Sequence, residues 1–227
     1  MGTITRNAAN NFTTGGVILP AAINDTSVAS LTELENVATG GAMTLIKEIT
    51  ASSSATLSFV HGTDGVVLDS TYPIYQFEFI NCHPANNGAF QVNFSTDGGS
   101  NYNVTKTSSG FQAYHKEDGS ASLLGYASSL DLAQSTGEQM IAGGSVVNAN
   151  DSGVSGSLKL FNPSSTTFVK HYMTIANSFD TSSPPYTQNQ FSAGYCNTTS
   201  SVNAVRFKFS SGNTDSGKIK LYGIKDS

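Results

Sequence analysis

Two dense runs of aromatic and aliphatic residues, at positions 74–80 and 90–94, most constrain what this chain can fold into. A polar break that contains Pro84 and Gly88 separates the runs, and turn residues at 97–99 close the second run. Strand-forming residues bounded by turn residues predict a β-hairpin followed by a second tight turn. A long helix is disfavoured because prolines and glycines interrupt every extended window in this region.

The same pattern of short apolar runs and turn residues continues along the rest of the chain. It predicts further strands at 43–50, 55–60, 111–115, 123–126, 156–161, 166–176, 188–197, 203–210 and 217–224. The segments 156–161 and 166–176 are predicted to pair as a hairpin, as are 203–210 and 217–224, and 188–197 is predicted to be an edge strand. Many short strands and almost no helix predict an all-β fold, an antiparallel β-sandwich that is jelly-roll-like, over residues 43–227.

Two segments give weaker signals. Residues 130–141 fit either a helical turn or an irregular crossover, and Gly143 and Gly144 are predicted to lie in a loop. A short internal echo, SGSLKLF at 155–161 and SGKIKLY at 216–222, suggests duplicated hairpins, although convergence on one strand pattern would also produce it.

Alternation in the last two predicted strands indicates which side chains face the core. Val205, Phe207 and Phe209 share one face of their strand, and Ile219 and Leu221 share the inward face of the next. Charged residues occupy the opposite faces, which is typical of a sheet with one solvated side.

The first 42 residues differ from the rest of the chain, because they are rich in Asn, Thr, Ala and Gly and have only one short apolar patch. That patch consists of Val17, Ile18, Leu19 and Ile23 around a proline. A segment with so few apolar residues cannot build a core of its own. Residues 1–42 are therefore predicted to form an extended attachment arm whose apolar patch docks on a neighbouring subunit, with the surface of the chain's own domain as the alternative.

Composition argues against several partners. Charged residues are scarce, at 12% of the chain, and the net charge is −5, whereas binding to nucleic acid needs clustered Lys and Arg. No run of about 18 apolar residues predicts a transmembrane helix. The N-terminus lacks the apolar core of a signal peptide. Without an export signal, Cys82 and Cys196 are expected to be thiols packed in strands, with a disulfide as the alternative.

No catalytic, cofactor-binding or metal site is predicted. A zinc site built on Cys82, His83 and Cys196 is weighed and disfavoured, because the sequence has no C-x-x-C or H-x-x-x-H pair. The Asp- and Asn-rich loops lack the twelve-residue spacing of a calcium loop and are better explained as turns. No nucleophile elbow is present and the acidic residues show no paired pattern, so the chain is not expected to be an enzyme.

Several tyrosines lie near predicted loops, namely Tyr102, Tyr114, Tyr126 and Tyr186. An exposed tyrosine can stack on a sugar ring or pack against a partner protein. These four are the candidate contacts to a glycan or a partner, and ordinary packing at the rim of the core is the alternative.

Four phrases of the sequence resemble a family of structural proteins from marine tailed bacteriophages. They are MGTITR at 1–6, FINCHPANN to STDGGSNY at 79–102, LFNPSSTTFVKHY at 160–172 and VRFKFSSGNTDSGKIKLYGI at 205–224. Together they span nearly the whole chain, and they consist of strands and turns rather than catalytic motifs.

This resemblance implies a tail-fibre-like virion protein, assembled in the host cytoplasm, whose arm fixes a β-sandwich to the particle. The implied partners are other copies of the chain, other virion proteins and a host-surface glycan; neither nucleic acid nor membrane insertion is expected. Two alternatives stay open: a head-decoration (cement) protein, and a carbohydrate-binding module that works free of any particle.

Overall fold

The computed structural model describes residues 42–226. The predicted arm residues Val17, Ile18, Leu19 and Ile23 lie outside this range, so their attachment role stays a prediction. Within the described range, no helix has the length and apolar character needed to cross a membrane.

Thirteen strands and one short 3₁₀ turn, Ser128–Leu130, make up the described part of the chain. The strands are β1 (Met43–Thr50), β2 (Leu57–Val60), β3 (Ile74–Pro84), β4 (Gly88–Ser95), β5 (Lys106–Lys116), β6 (Ser122–Tyr126), β7 (Leu132–Ser135), β8 (Gln139–Val146), β9 (Val154–Phe161), β10 (Lys170–Asp180), β11 (Tyr186–Cys196), β12 (Ala204–Phe209) and β13 (Thr214–Ile224).

The strands form two sheets in which every pairing is antiparallel. The large sheet has nine strands in the order β1-β13-β3-β9-β10-β11-β5-β6, with β7 also paired to β5. The small sheet has four strands in the order β2-β12-β4-β8. The predicted all-β antiparallel sandwich is confirmed.

An aromatic cluster fills the space between the sheets. Phe77 and Phe79 extend from β3 of the large sheet, and Phe59, Phe90 and Phe207 extend from three strands of the small sheet. Phe77 and Phe79 are two positions apart on one strand, so the pleat turns both toward the core. The inward faces predicted for β12 and β13 are also confirmed, since the apolar residues named there are buried.

Two of the predicted hairpins are wrong. The segments 74–80 and 90–94 became β3 and β4, which lie in different sheets, and the same is true of β12 and β13. In both cases the turn carries the chain across the core from one layer to the other. Each strand therefore packs its apolar face against its sequence neighbour instead of hydrogen bonding to it. The hairpin predicted around position 163 is confirmed, because β9 and β10 pair in register.

Three other predictions need correction. The segment 188–197 is not an edge strand, because β11 pairs along its whole length with β10 on one side and β5 on the other. The segment 130–141, for which the sequence fitted a helical turn or an irregular crossover, is mostly strand. It contains the last residue of the 3₁₀ turn, the whole of β7 and the first residues of β8. The predicted loop at Gly143 and Gly144 is part of β8, where the Gly143 N–H donates to Oε1 of Gln190 at 2.6 Å.

Candidate functional site

Irregularities in adjacent strands of the large sheet meet at one place. The register of β3 shifts between Phe79 and Cys82, and that of β13 shifts on both sides of Ser216. Asn81 has a φ of +48° and Gly217 a φ of +103°. A Cβ atom at position 217 would collide with the Asn81 carbonyl and the Cys82 backbone, so only glycine allows this approach. β-bulges of this kind redirect side chains out of the regular ladder.

A cleft of about 670 Å³ opens where these strands are distorted. It lies on the face of the large sheet that points away from the small sheet, beside the loop that joins β8 to β9. Most of the lining side chains are polar and uncharged, and one is aromatic; the lining includes Asn81, Asp151, Ser155, Asn177, Phe179 and Ser216. Its volume falls within the range of about 300–1,000 Å³ that is typical of small-molecule pockets.

His83 fixes one end of the cleft. Its Nδ1 lies 2.8 Å from Oδ1 of Asp215 and its Nε2 lies 2.9 Å from the carbonyl oxygen of Ala149. Burial alone lowers the pKa of His83, but the hydrogen bonds to Ala149 and Asp215 and the charge of that carboxylate raise the pKa above its ordinary value. Because both ring nitrogens face acceptors, the imidazolium form is favoured and the ring has no free nitrogen to act as a base.

The remaining side chains of the cleft are suited to hydrogen bonding rather than to covalent chemistry. Ser155 Oγ accepts the Asn81 backbone N–H at 3.0 Å and donates to Asn81 Oδ1 at 3.2 Å, so no histidine activates it. Among residues 42–226, no group of three or more His, Cys, Asp or Glu side chains is placed to hold a metal ion.

Cys82 and His83 do not form a common site. Strand alternation turns Cys82 into the core and His83 toward the cleft, and Cys196 is buried as a separate thiol. Burial raises the pKa of each cysteine thiol to about 12. The expectation of two packed thiols is confirmed.

The four candidate tyrosines do not form one surface. The rings of Tyr114 and Tyr186 lie together, with centroids 5.5 Å apart. Tyr126 lies on the opposite face of the same sheet, 66% exposed, and its hydroxyl donates to Oδ2 of Asp131 at 2.6 Å. Tyr102 packs elsewhere, beneath the guanidinium of Arg206 at 4.3 Å from the ring centroid. Tyr102 thus contacts Arg206 of the small sheet, and the role of the four tyrosines as glycan or partner contacts stays a prediction.

An apolar row that the sequence did not predict crosses the outer face of the large sheet. Direct cross-strand pairs place Ile175, Phe191, Phe111 and Tyr126 side by side on β10, β11, β5 and β6. The Phe111 and Phe191 rings stack with centroids 4.8 Å apart. The sequence of β10 could have indicated this row, because apolar residues occupy both faces of that strand. We call these four residues the outer row.

The outer row ends at an unprotected sheet edge. Strand β6, with the sequence SLLGY, carries no charge, and its Leu124 is 73% exposed. The opposite edge of the sheet, β1, carries Lys47 and Glu48 and a register shift beside Lys47. Charges and bulges are the usual devices that prevent an edge strand from pairing with another chain. Of these two edges, β1 alone has them, so β6 is the edge that is open to pairing.

Comparison of the chain with protein-family models, with curated proteins and with solved structures finds no match.

Proposed function

We propose that this chain is a non-enzymatic structural component of a tailed-phage virion, tail-associated and built from several copies. Residues 1–42 attach it to the particle and the β-sandwich is exposed, in contact with the host surface. The sequence phrases that resemble phage structural proteins support this proposal. A two-sheet body with few charged residues is compatible with it.

The observation that carries the proposal is the unprotected β6 edge beside the outer row. Antiparallel pairing of two β6 strands about a two-fold axis at Leu124 sets each Leu124 opposite its copy. The same register places Tyr126 opposite Ser122 and Leu123 opposite Gly125, so in these pairs a large residue meets a small one. A self-complementary strand of this kind is what an isologous interface requires. The partner at this edge is therefore a second copy of the chain.

Two further candidate functions follow from the same body. A head-decoration protein would use the same arm and the same contacts between copies at another place on the particle. A carbohydrate-binding module that works free of any particle is favoured by one observation, the polar cleft with its aromatic wall.

Replacement of Leu124 by lysine tests the contact between copies. We expect the dissociation constant between copies to rise about 100-fold, because two leucines lose apolar contact and two like charges face each other. Sedimentation velocity over a range of protein concentrations measures this constant. Leu45→Lys is the matched control, since Leu45 is 51% exposed on the opposite edge strand, and it should associate like the unmodified chain. Equal association of all three proteins would contradict the proposal.

Removal of residues 1–42 tests the attachment arm. The buried core of the described residues lies wholly within 51–221, so the shortened chain should keep its cooperative unfolding transition. We expect it to be absent from assembled particles, as measured by mass spectrometry of purified virions. Removal of residues 1–8 alone, which keeps Val17, Ile18, Leu19 and Ile23, is the control and should preserve incorporation. Normal incorporation of the chain that lacks 1–42 would show that the arm is not the attachment element.

A further inference from the structure

We propose that the cleft beside Asn81 binds a sugar unit of an uncharged glycan. This inference deepens the host-contact part of the proposed function and rests on it for its biological setting. It places the glycan at residues other than the four tyrosines that the sequence suggested.

The polar groups of the cleft match the chemistry of sugar hydroxyls. Asn150, Asp151 and Ser216 line the cleft, and all three carry exposed polar side chains. A carboxylate accepts hydrogen bonds, an amide side chain both donates and accepts, and a sugar hydroxyl does both. Several such groups converging on one cavity fix the orientation of a ligand that carries many hydroxyls.

Phe179 supplies the apolar contact that a sugar also needs. It lies on β10, half-buried, two residues beyond Asn177 on the same face of the sheet. Pyranose rings expose a patch of C–H groups on one side, and aromatic rings pack against such patches. An aromatic side chain among polar ones therefore suits a ring that has one apolar side and a polar rim.

The charge of the cleft selects against anions. The positive ring of His83 is paired with Asp215 at 2.8 Å, so these two charges offset each other. Asp151 then leaves the cleft with an excess of negative charge. A phosphate, a sulfate or a sugar acid would be repelled, whereas an uncharged sugar meets no such repulsion.

The walls of the cleft are held in place before any ligand arrives. His83 connects the loop at Ala149 to Asp215 of β13, and Ser152 Oγ donates to the Phe179 carbonyl at 2.9 Å. Asn81, Ser155 and Ser216 of the lining lie on paired strands rather than on a free loop. A preformed site loses little conformational freedom on binding, which favours measurable affinity for a small ligand.

Titration of the full-length, isotope-labelled protein in NMR experiments tests the proposal. The probes are glucose, galactose, mannose and N-acetylglucosamine, with glucuronate and inorganic phosphate as anionic probes. We expect at least one uncharged sugar to cause saturable shifts at residues that line the cleft, and the anions to cause none there. Asp151→Ala and Asn150→Ala should each weaken that binding about tenfold or more. Glu117→Ala removes an exposed acid outside the cleft and should leave binding unchanged.

Three results would overturn the inference. They are no saturable shifts with any of the four uncharged sugars, tighter binding of glucuronate or phosphate, and equal binding by the Asp151→Ala, Asn150→Ala and unmodified proteins. Amide spectra of the variants show whether each one is folded. The outcome is independent of the virion proposal, because a cleft that binds no sugar leaves the effects of Leu124→Lys and of arm removal as predicted above.

Discussion

Replacement of Phe207 by alanine is expected to lower the free energy of unfolding by about 3–5 kcal/mol, the usual cost of removing a fully buried aromatic side chain. Phe207 has no exposed surface and lies at the centre of the aromatic cluster. Its ring centroid is 5.3 Å from that of Phe77, 5.8 Å from Phe79, 6.0 Å from Phe90 and 6.3 Å from Phe59. Alanine would leave a cavity that borders both sheets, and neighbours held on paired strands cannot collapse into it.

Urea denaturation at one fixed protein concentration measures this loss, since association between copies would otherwise contribute to the apparent stability. Phe168→Ala is the matched control, because Phe168 is 71% exposed and its removal should change stability by less than about 0.5 kcal/mol. A loss of less than about 1.5 kcal/mol for Phe207→Ala would mean that the two sheets do not pack on this ring.

Strand faces were predictable from the sequence, whereas strand partners were not. The alternation that turned Val205, Phe207 and Phe209 inward is a property of one strand and can be read locally. Whether β12 hydrogen bonds to β13 or packs across from it depends on which other strands compete for the same edge. Here β4 and β2 pair with β12, while β3 and β1 pair with β13. A short polar turn can join two paired strands or two strands in different sheets. The prediction of a hairpin was therefore wrong for both the β3–β4 and the β12–β13 connections.

The cleft could not be predicted because its residues are distant in the chain and meet only through sheet order. One signal was nevertheless present. The two Ser-Gly segments of the internal echo, at 155–156 and 216–217, belong to β9 and β13, which flank β3 on either side. Their serines both line the cleft, and Asn81 lies between them on β3. The two repeated segments therefore occupy equivalent positions on either side of β3, and they do not belong to duplicated hairpins.

A buried lysine is a second feature that composition did not reveal. Lys106 begins β5 and has no exposed surface, and its Nζ donates to Oδ1 of Asn93 at 2.6 Å and to the Val104 carbonyl at 2.7 Å. No carboxylate bonds to it within the described part of the chain. Burial lowers the pKa of Lys106 to about 8. Near neutral pH the Lys106 ammonium group is therefore charged and buried, with only two neutral hydrogen-bond acceptors beside it. Its burial lowers the stability of the folded protein at that pH.

Lys106→Met should reveal that cost as a dependence on pH. In the unfolded chain a lysine keeps its proton up to about pH 10.4. Because the folded pKa is lower, the folded protein binds fewer protons than the unfolded chain between pH 8 and 10, and Lys106 destabilises it less as the pH rises. The stability of the Met variant relative to the unmodified protein should therefore fall by about 2–3 kcal/mol between pH 7 and pH 10.

The comparison must be made between the two proteins at each pH, because Cys82 and Cys196 titrate in the same range. Burial raises the pKa of both thiols to about 12, so they lower the stability of both proteins as the pH rises through about 8.5, and their contributions cancel in the difference. Lys159→Met, at an exposed position on β9, is the control and should show no comparable change between pH 7 and pH 10. Urea denaturation at both pH values gives the required differences. If the stability difference of Lys106→Met is the same at both, the ammonium group of Lys106 is not buried in the folded protein.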